Sequence, residues 1–193
     1  ALNTLLIGMF LNNSDVAYWS LCLQMVSAVQ ALYTPITDGI YPHMVKTKDI
    51  GILKKAIKIF VPLISAGCIF TLFAAKYALL IVGGEQYVGA AYVLRALVPV
   101  LFFSFLSMLF GWPALGAIGK QKETTFSTII TAVVQVLGLL LLIASNNFNL
   151  LNIALLRGMT ELLLFVLRFS MVIKYKSEFS NTDENKLKND AVE

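Results

Sequence analysis

Long apolar stretches with almost no charge constrain the fold of this chain more than any other feature. One of them, VAYWSLCLQMVSAVQALYTPITDGI, covers residues 16–40 and has a single acidic residue, Asp38, near its end. A helix needs roughly 20 residues to cross a bilayer core of about 30 Å. The stretch is therefore long enough to span a membrane as a helix.

The composition extends this reading to the whole chain. Hydrophobic residues make up 58% of the 193 residues and charged residues only 13%, whereas soluble domains are about 25% charged. The mean hydropathy is +0.78. We therefore predict an all-α, polytopic transmembrane helix bundle with five complete spans, at residues 16–42, 57–80, 90–117, 124–145 and 150–173.

The two ends of the chain differ from these spans. Residues 1–11 are apolar but cover only about 16 Å as a helix, so we expect the outer end of a truncated span and a chain that begins inside a longer protein. The bundle is predicted to cover residues 1–176. Residues 177–193 are polar with mixed charge and are predicted to form a disordered cytoplasmic tail.

Basic residues indicate the orientation. Of the 15 basic residues, five fall in residues 46–58, two in 119–123 and four in 174–193. Because basic loops resist translocation, we predict that these segments are cytoplasmic. Residues 12–15, 83–89 and 146–149 are then periplasmic. This bias also accounts for the net charge of +4, so no nucleic-acid partner is expected.

Three motifs resemble one family of membrane proteins. Residues 5–10 (LLIGMF) are followed by Asp15, residues 35–42 read PITDGIYP, and PALGAIGKQK at 113–122 links two spans. This order is similar to the second half of bacterial polysaccharide (O-antigen-type) flippases of the multidrug/oligosaccharidyl-lipid/polysaccharide exporter superfamily. The resemblance extends to about Lys176.

The resemblance implies a MATE-like half-transporter in the bacterial inner membrane, whose partner is a missing N-terminal half. It implies transfer of undecaprenyl-pyrophosphate-linked oligosaccharide repeat units, as in O-antigen and lipopolysaccharide biosynthesis, by alternating access. A small-molecule exporter of the same fold is one alternative, and a membrane polysaccharide polymerase is another. No catalytic constellation or metal-ligand cluster is visible in the sequence, so we expect no enzyme and no cofactor. Coupling to H⁺ or Na⁺ remains open.

Arg157 and Glu161 are the most distinctive charged residues. They lie four residues apart on the last span and therefore on one helix face, about 10 and 17 Å from its outer end. Charges at such depth usually face a bundle interior or a wet cavity. Two interpretations stay open: Arg157 lines a cavity and binds an anionic substrate, or the pair only holds helices together.

Other polar residues within the spans are weaker candidates for the substrate site. Arg95 could line an outer vestibule or snorkel to the headgroups, and Arg168 is interpreted as snorkelling to the inner headgroups. Gln24, Gln30 and Gln135 could bind sugar or form hydrogen bonds between helices. Near the inner end, a water-exposed mouth or a partner lysine is preferred over proton coupling for Asp38, and an interfacial contact is the preferred interpretation of His43.

Two prolines are predicted to act as gates. Pro35 and Pro99 fall inside predicted spans, where a proline removes a backbone hydrogen bond and kinks the helix. Cys22 and Cys68 lie in apolar spans and are predicted to behave as small hydrophobic residues.

Overall fold

A computed structural model describes residues 2–179 of the chain. Within this range the structure is helical and has no β-strand. The eight α-helices are α1 (Leu2–Phe10), α2 (Asn13–Ala31), α3 (Tyr33–Thr47), α4 (Ile50–Gly83), α5 (Ala91–Ala96), α6 (Val98–Leu109), α7 (Gln121–Ala144) and α8 (Leu150–Lys174).

Five segments are long and apolar enough to cross a membrane: α2 with α3, α4, α6 with the turn that follows it, α7 and α8. The predicted all-α bundle with five spans is therefore confirmed. Helices α7 and α8 agree with the predicted spans to within three residues at each end. Helix α4 lies at the periphery, where Phe70, Phe73 and Ile81 are more than two-thirds exposed, as expected for a surface that contacts lipid.

The lysine-rich segment is helical, which corrects the prediction of a loop. Helix α4 begins at Ile50, seven residues earlier than predicted, because Asp49 caps its N-terminus by accepting a hydrogen bond from the Gly51 amide at 2.7 Å. Its first turns expose Lys54, Lys55 and Lys58, while the adjacent Leu53 is buried. Residues 50–56 of α4 carry lysines and are less hydrophobic than a membrane span. A prediction from hydropathy alone therefore assigns them to a loop.

Prolines explain where three helices end. A proline ring clashes with the carbonyl four residues earlier and offers no amide hydrogen. Helix α2 ends at Ala31, four residues before Pro35, and α6 ends at Leu109, four residues before Pro113. Helix α5 ends at Ala96, three residues before Pro99. The predicted third span is thus three pieces, and its last piece, Phe110–Gly116, is a π-helical turn.

The core consists of two clusters, one toward each end of the bundle. The first contains Trp19, Ala90 and Leu150, and the second contains Met44 and Ile118. Two contacts join the turns predicted to be periplasmic: the Phe10 and Phe148 rings lie 5.7 Å apart, and the Tyr18 hydroxyl donates to the Gln86 carbonyl at 3.1 Å. These turns therefore lie at the same end of the molecule.

Residues 177–179, at the start of the predicted tail, pack onto the opposite end. A 3-10 turn at Lys176–Glu178 includes the first two of them, and Phe179, which follows the turn, belongs to the second core cluster. Lys120 and Glu178 form an ion pair at 3.0 Å, and the hydrogen bond that the Lys120 ammonium donates to the Glu178 carboxylate raises the pKa of Lys120. The rest of the predicted tail, 180–193, lies outside the described residues.

Candidate functional site

A polar cavity of about 520 Å³ lies between α1, α2, α6, α7 and α8. Four of the substrate-site candidates from the sequence line it: Gln30, Gln135, Arg157 and Glu161. Asn3 and the hydroxyls of Thr128, Thr131 and Thr160 share its wall. Pockets of roughly 300 to 1,000 Å³ hold small ligands, so the cavity has the volume of a ligand site.

Arg157 and Glu161 form an ion pair within this cavity, with Nη2 and Oε1 3.2 Å apart. The Arg157 side chain is 40% exposed and that of Glu161 only 12%. The guanidinium therefore keeps donors that can reach a second anion in the cavity. The pair and the cavity-lining position, proposed from the sequence as alternatives, occur together.

Gln135 connects three of the helices that form the cavity. Its Oε1 accepts a hydrogen bond from the Thr160 hydroxyl at 2.8 Å, and its Nε2 donates to Asn3 Oδ1 at 3.4 Å. These contacts connect α7 with α8 and α1. The predicted hydrogen bonds between helices are present at Gln135, and its role in binding a substrate remains a prediction.

The other two predicted binding residues lie elsewhere. Gln24 is exposed and is not part of the cavity wall. The Arg95 Nε donates to the Leu72 carbonyl of α4 at 2.8 Å, which holds α5 against α4. Neither predicted gate is in the cavity wall: Pro35 is exposed, and Pro99 packs against Gly158 of α8. Their gating role remains a prediction.

Arg168 is directed into the bundle, which corrects the snorkelling interpretation. Its Nη1 donates to the Ser107 carbonyl at 2.6 Å, Nη2 to the Thr128 hydroxyl at 3.0 Å and Nε to the Ser127 hydroxyl at 3.3 Å. A Cβ at Gly111 would lie 2.9 Å from Nη1, so the glycine provides the space for the guanidinium. Three helices are thereby connected by one side chain.

Arg168 belongs to a stripe on α8 that continues the cavity along the bundle. Arg157, Glu161, Leu164 and Arg168 have the i, i+4, i+7, i+11 spacing of one helix face. A second cavity of about 380 Å³ shares Gln30, Glu161 and Leu164 with the first. The three charges of the stripe therefore line two adjoining cavities that share wall residues.

A third cavity, of about 530 Å³, shares Thr34, Met108 and Arg168 with the second. It extends to Tyr41 and Trp112, at the end of the bundle that bears the lysines of α3 and α4. We call this series of three cavities the polar path. The depth of each charge in its span did not predict this stripe. The i, i+4, i+7, i+11 spacing of the four residues along α8 is the sequence signal that does.

The fold and the path define the chain as a membrane-type helical bundle with a polar groove formed by three adjoining cavities. Among the described residues, no group of three or more His, Cys, Asp and Glu side chains could hold a metal ion. No family model, curated protein or solved structure matches the chain.

Proposed function

We propose that the chain forms one half of a transporter that moves an undecaprenyl-pyrophosphate-linked oligosaccharide across the bacterial inner membrane by alternating access. The observation that carries the proposal is the polar path. It extends from Asn3 and Arg157, each about 10 Å along its helix from the turns predicted to be periplasmic, to Trp112 near the lysine-bearing end, and two arginines and two carboxylates line it. Charges inside a bundle normally mark a substrate or ion pathway.

The chemistry of the path suits such a substrate. A pyrophosphate needs cations, and Arg157 retains donors beyond its pair with Glu161. Sugar hydroxyls need many small hydrogen-bonding groups, which Asn3, Gln30 and the path threonines offer. A substrate with both groups explains a path of mixed polarity better than a purely cationic drug does.

The experiment that tests this function is a flux assay in vesicles. The intact protein is reconstituted with a fluorescent lipid-linked oligosaccharide, and an impermeant reductant quenches the label that reaches the outer leaflet. We expect faster quenching than in protein-free vesicles, and a loss of this effect in Arg157→Gln. Arg95→Gln is the matched control, because Arg95 lies outside the path and should leave the flux unchanged.

Two results would oppose the proposal. A rate equal to that of protein-free vesicles would contradict lipid-linked oligosaccharide transport. Efflux of small organic cations without movement of the lipid would favour the small-molecule exporter instead.

A further inference from the structure

The inner end of the polar path has features that the proposed function does not use. Its cavity of about 530 Å³ is lined by Thr34, Asp38, Tyr41, Trp112 and Arg168, among others. We call it the inner vestibule. It combines an aromatic ring, a carboxylate and a cation in a space large enough for a sugar ring.

Trp112 is held in a fixed position there while much of it stays accessible. A Cβ at Gly116 would lie 2.9 Å from Trp112 Cε3, so the ring packs directly on the glycine one turn later. Tyr41 meets the ring edge-on, with centroids 6.2 Å apart and an interplanar angle of 82°. Trp112 is nevertheless 58% exposed.

The polar groups around the ring are available to a ligand. Within the described part of the chain, the Asp38 carboxylate forms no ion pair and the Thr34 hydroxyl donates no hydrogen bond. Arg168 closes the side toward the second cavity. A carboxylate accepts hydrogen bonds from hydroxyls, and the electron-rich face of an aromatic ring attracts the weakly positive C–H groups of a pyranose.

We propose that the inner vestibule binds one pyranose ring, which stacks on Trp112 while its hydroxyls bind Asp38 and Thr34. The inference deepens the proposed function, on which it rests for its biological role, because it assigns the sugar part of the substrate to a defined site. The vestibule lies at the lysine-bearing end, where a substrate made in the cytoplasm enters. An interfacial tryptophan that only contacts lipid is the competing interpretation.

Tryptophan fluorescence can test the site. The chain has two tryptophans, so Trp19→Phe leaves Trp112 as the only one. The methyl glycosides of glucose, galactose and N-acetylglucosamine are titrated against the intact protein in nanodiscs. We expect a saturable change with at least one glycoside, at a Kd on the order of 1 to 10 mM. Sorbitol, an acyclic polyol, should give none.

Matched variants connect the signal to the geometry. Asp38→Asn should weaken the binding at least about fivefold, and Gly116→Ala should do so by displacing the ring. Because Trp19 is fully buried and its replacement could impair folding, saturation-transfer NMR on the unmodified protein and on Trp112→Ala provides a second measurement. Transfer to the glycoside should require Trp112.

Three results would overturn the inference: no saturable signal with any glycoside in either measurement, an equal signal with sorbitol, or strong quenching of Trp112 by brominated acyl chains. The flux assay separates this inference from the proposed function. Glycoside binding without flux would refute the transporter and leave the sugar site, and flux without glycoside binding would refute the site alone.

Discussion

Arg157 and Glu161 share one wall of the cavity, so neutralising either residue affects the other. If Arg157 binds the substrate anion, Arg157→Gln should lower transport about tenfold to a hundredfold, because a hydrogen bond to a charged group contributes roughly 1.5 to 3 kcal/mol. Arg157→Lys should retain part of the activity. Protein levels should not change, and complementation of surface-polysaccharide display in a flippase-null strain measures the effect.

The double variant Arg157→Gln with Glu161→Gln decides between substrate binding and a structural pair. A structural pair predicts that the double variant recovers, since the single variant leaves a costly lone carboxylate in the membrane. Substrate binding predicts that it stays inactive. Recovery would refute the role of Arg157 in binding the anion.

Gly111 lies where the Arg168 guanidinium crosses the π-helical turn. Gly111→Ala would place a Cβ 2.9 Å from Nη1 and 3.2 Å from Cζ, which should displace the guanidinium from the Ser107 carbonyl. We expect a loss of about 1 to 3 kcal/mol in unfolding free energy, seen as a lower melting temperature in detergent. Gly67→Ala is the control, because a Cβ there meets no atom within 4 Å. Equal melting temperatures for both variants would contradict this role of Gly111.

The sequence revealed which residues carry charge inside the membrane but not what those residues contact. Depth along α8 was enough to place Arg157 and Glu161 in the interior. For Arg168, depth alone led to the wrong interpretation of snorkelling. Its closest acceptor is the Ser107 backbone carbonyl, which lies next to a helix distortion that hydropathy does not reveal. Gln24 and Gln135 show the same limitation. Both fall inside predicted spans, but Gln24 is exposed and Gln135 is buried, and the residue type alone cannot distinguish the two environments.

At the scale of helices, Pro35 and Pro99 interrupt two spans beside the polar path. Replacing either with alanine restores an amide that can donate to the carbonyl four residues earlier, so the helix should become continuous and the bundle stiffer. We expect transport to fall several-fold while membrane insertion is retained. Pro62→Ala is the control, because Pro62 lies inside the uninterrupted helix α4. Full flux by both test variants would remove the gating role.

Helix positions could be predicted well where hydropathy and caps agree. Asn149 caps α8 by accepting from the Asn152 amide, and the apolar segment begins at the next residue, so its start was predicted correctly. At the lysine-bearing start of α4, hydropathy and the cap indicate different boundaries, and the helix begins where the cap lies. The Phe110–Gly116 turn could not be predicted, because Pro113 marks a break without specifying its geometry.

At the scale of the whole molecule, the alternation of spans predicted which turns lie together. Contacts such as Phe10 with Phe148 place the turns predicted to be periplasmic at one end of the bundle. The polar path begins about 10 Å from that end, at Asn3 and Arg157, and continues toward the lysine-bearing end through residues of both α2 and α3. Its continuity depends on the packing of five segments, which is why a single sequence could identify its charges but not its course.

Cysteine accessibility along α2 and α3 tests the polar path most directly. In a background with Cys22→Ala and Cys68→Ala, single cysteines replace Ser27, Gln30 or Thr34, which line the first, second and third cavities in turn. A fourth cysteine replaces Phe73 on the lipid-facing side of α4. The rate of labelling by a charged methanethiosulfonate is measured in vesicles that contain the intact protein. A water-filled path predicts labelling of all three path positions at least about tenfold faster than of position 73. Labelling as slow as at position 73 would show that no hydrated path follows α2 and α3.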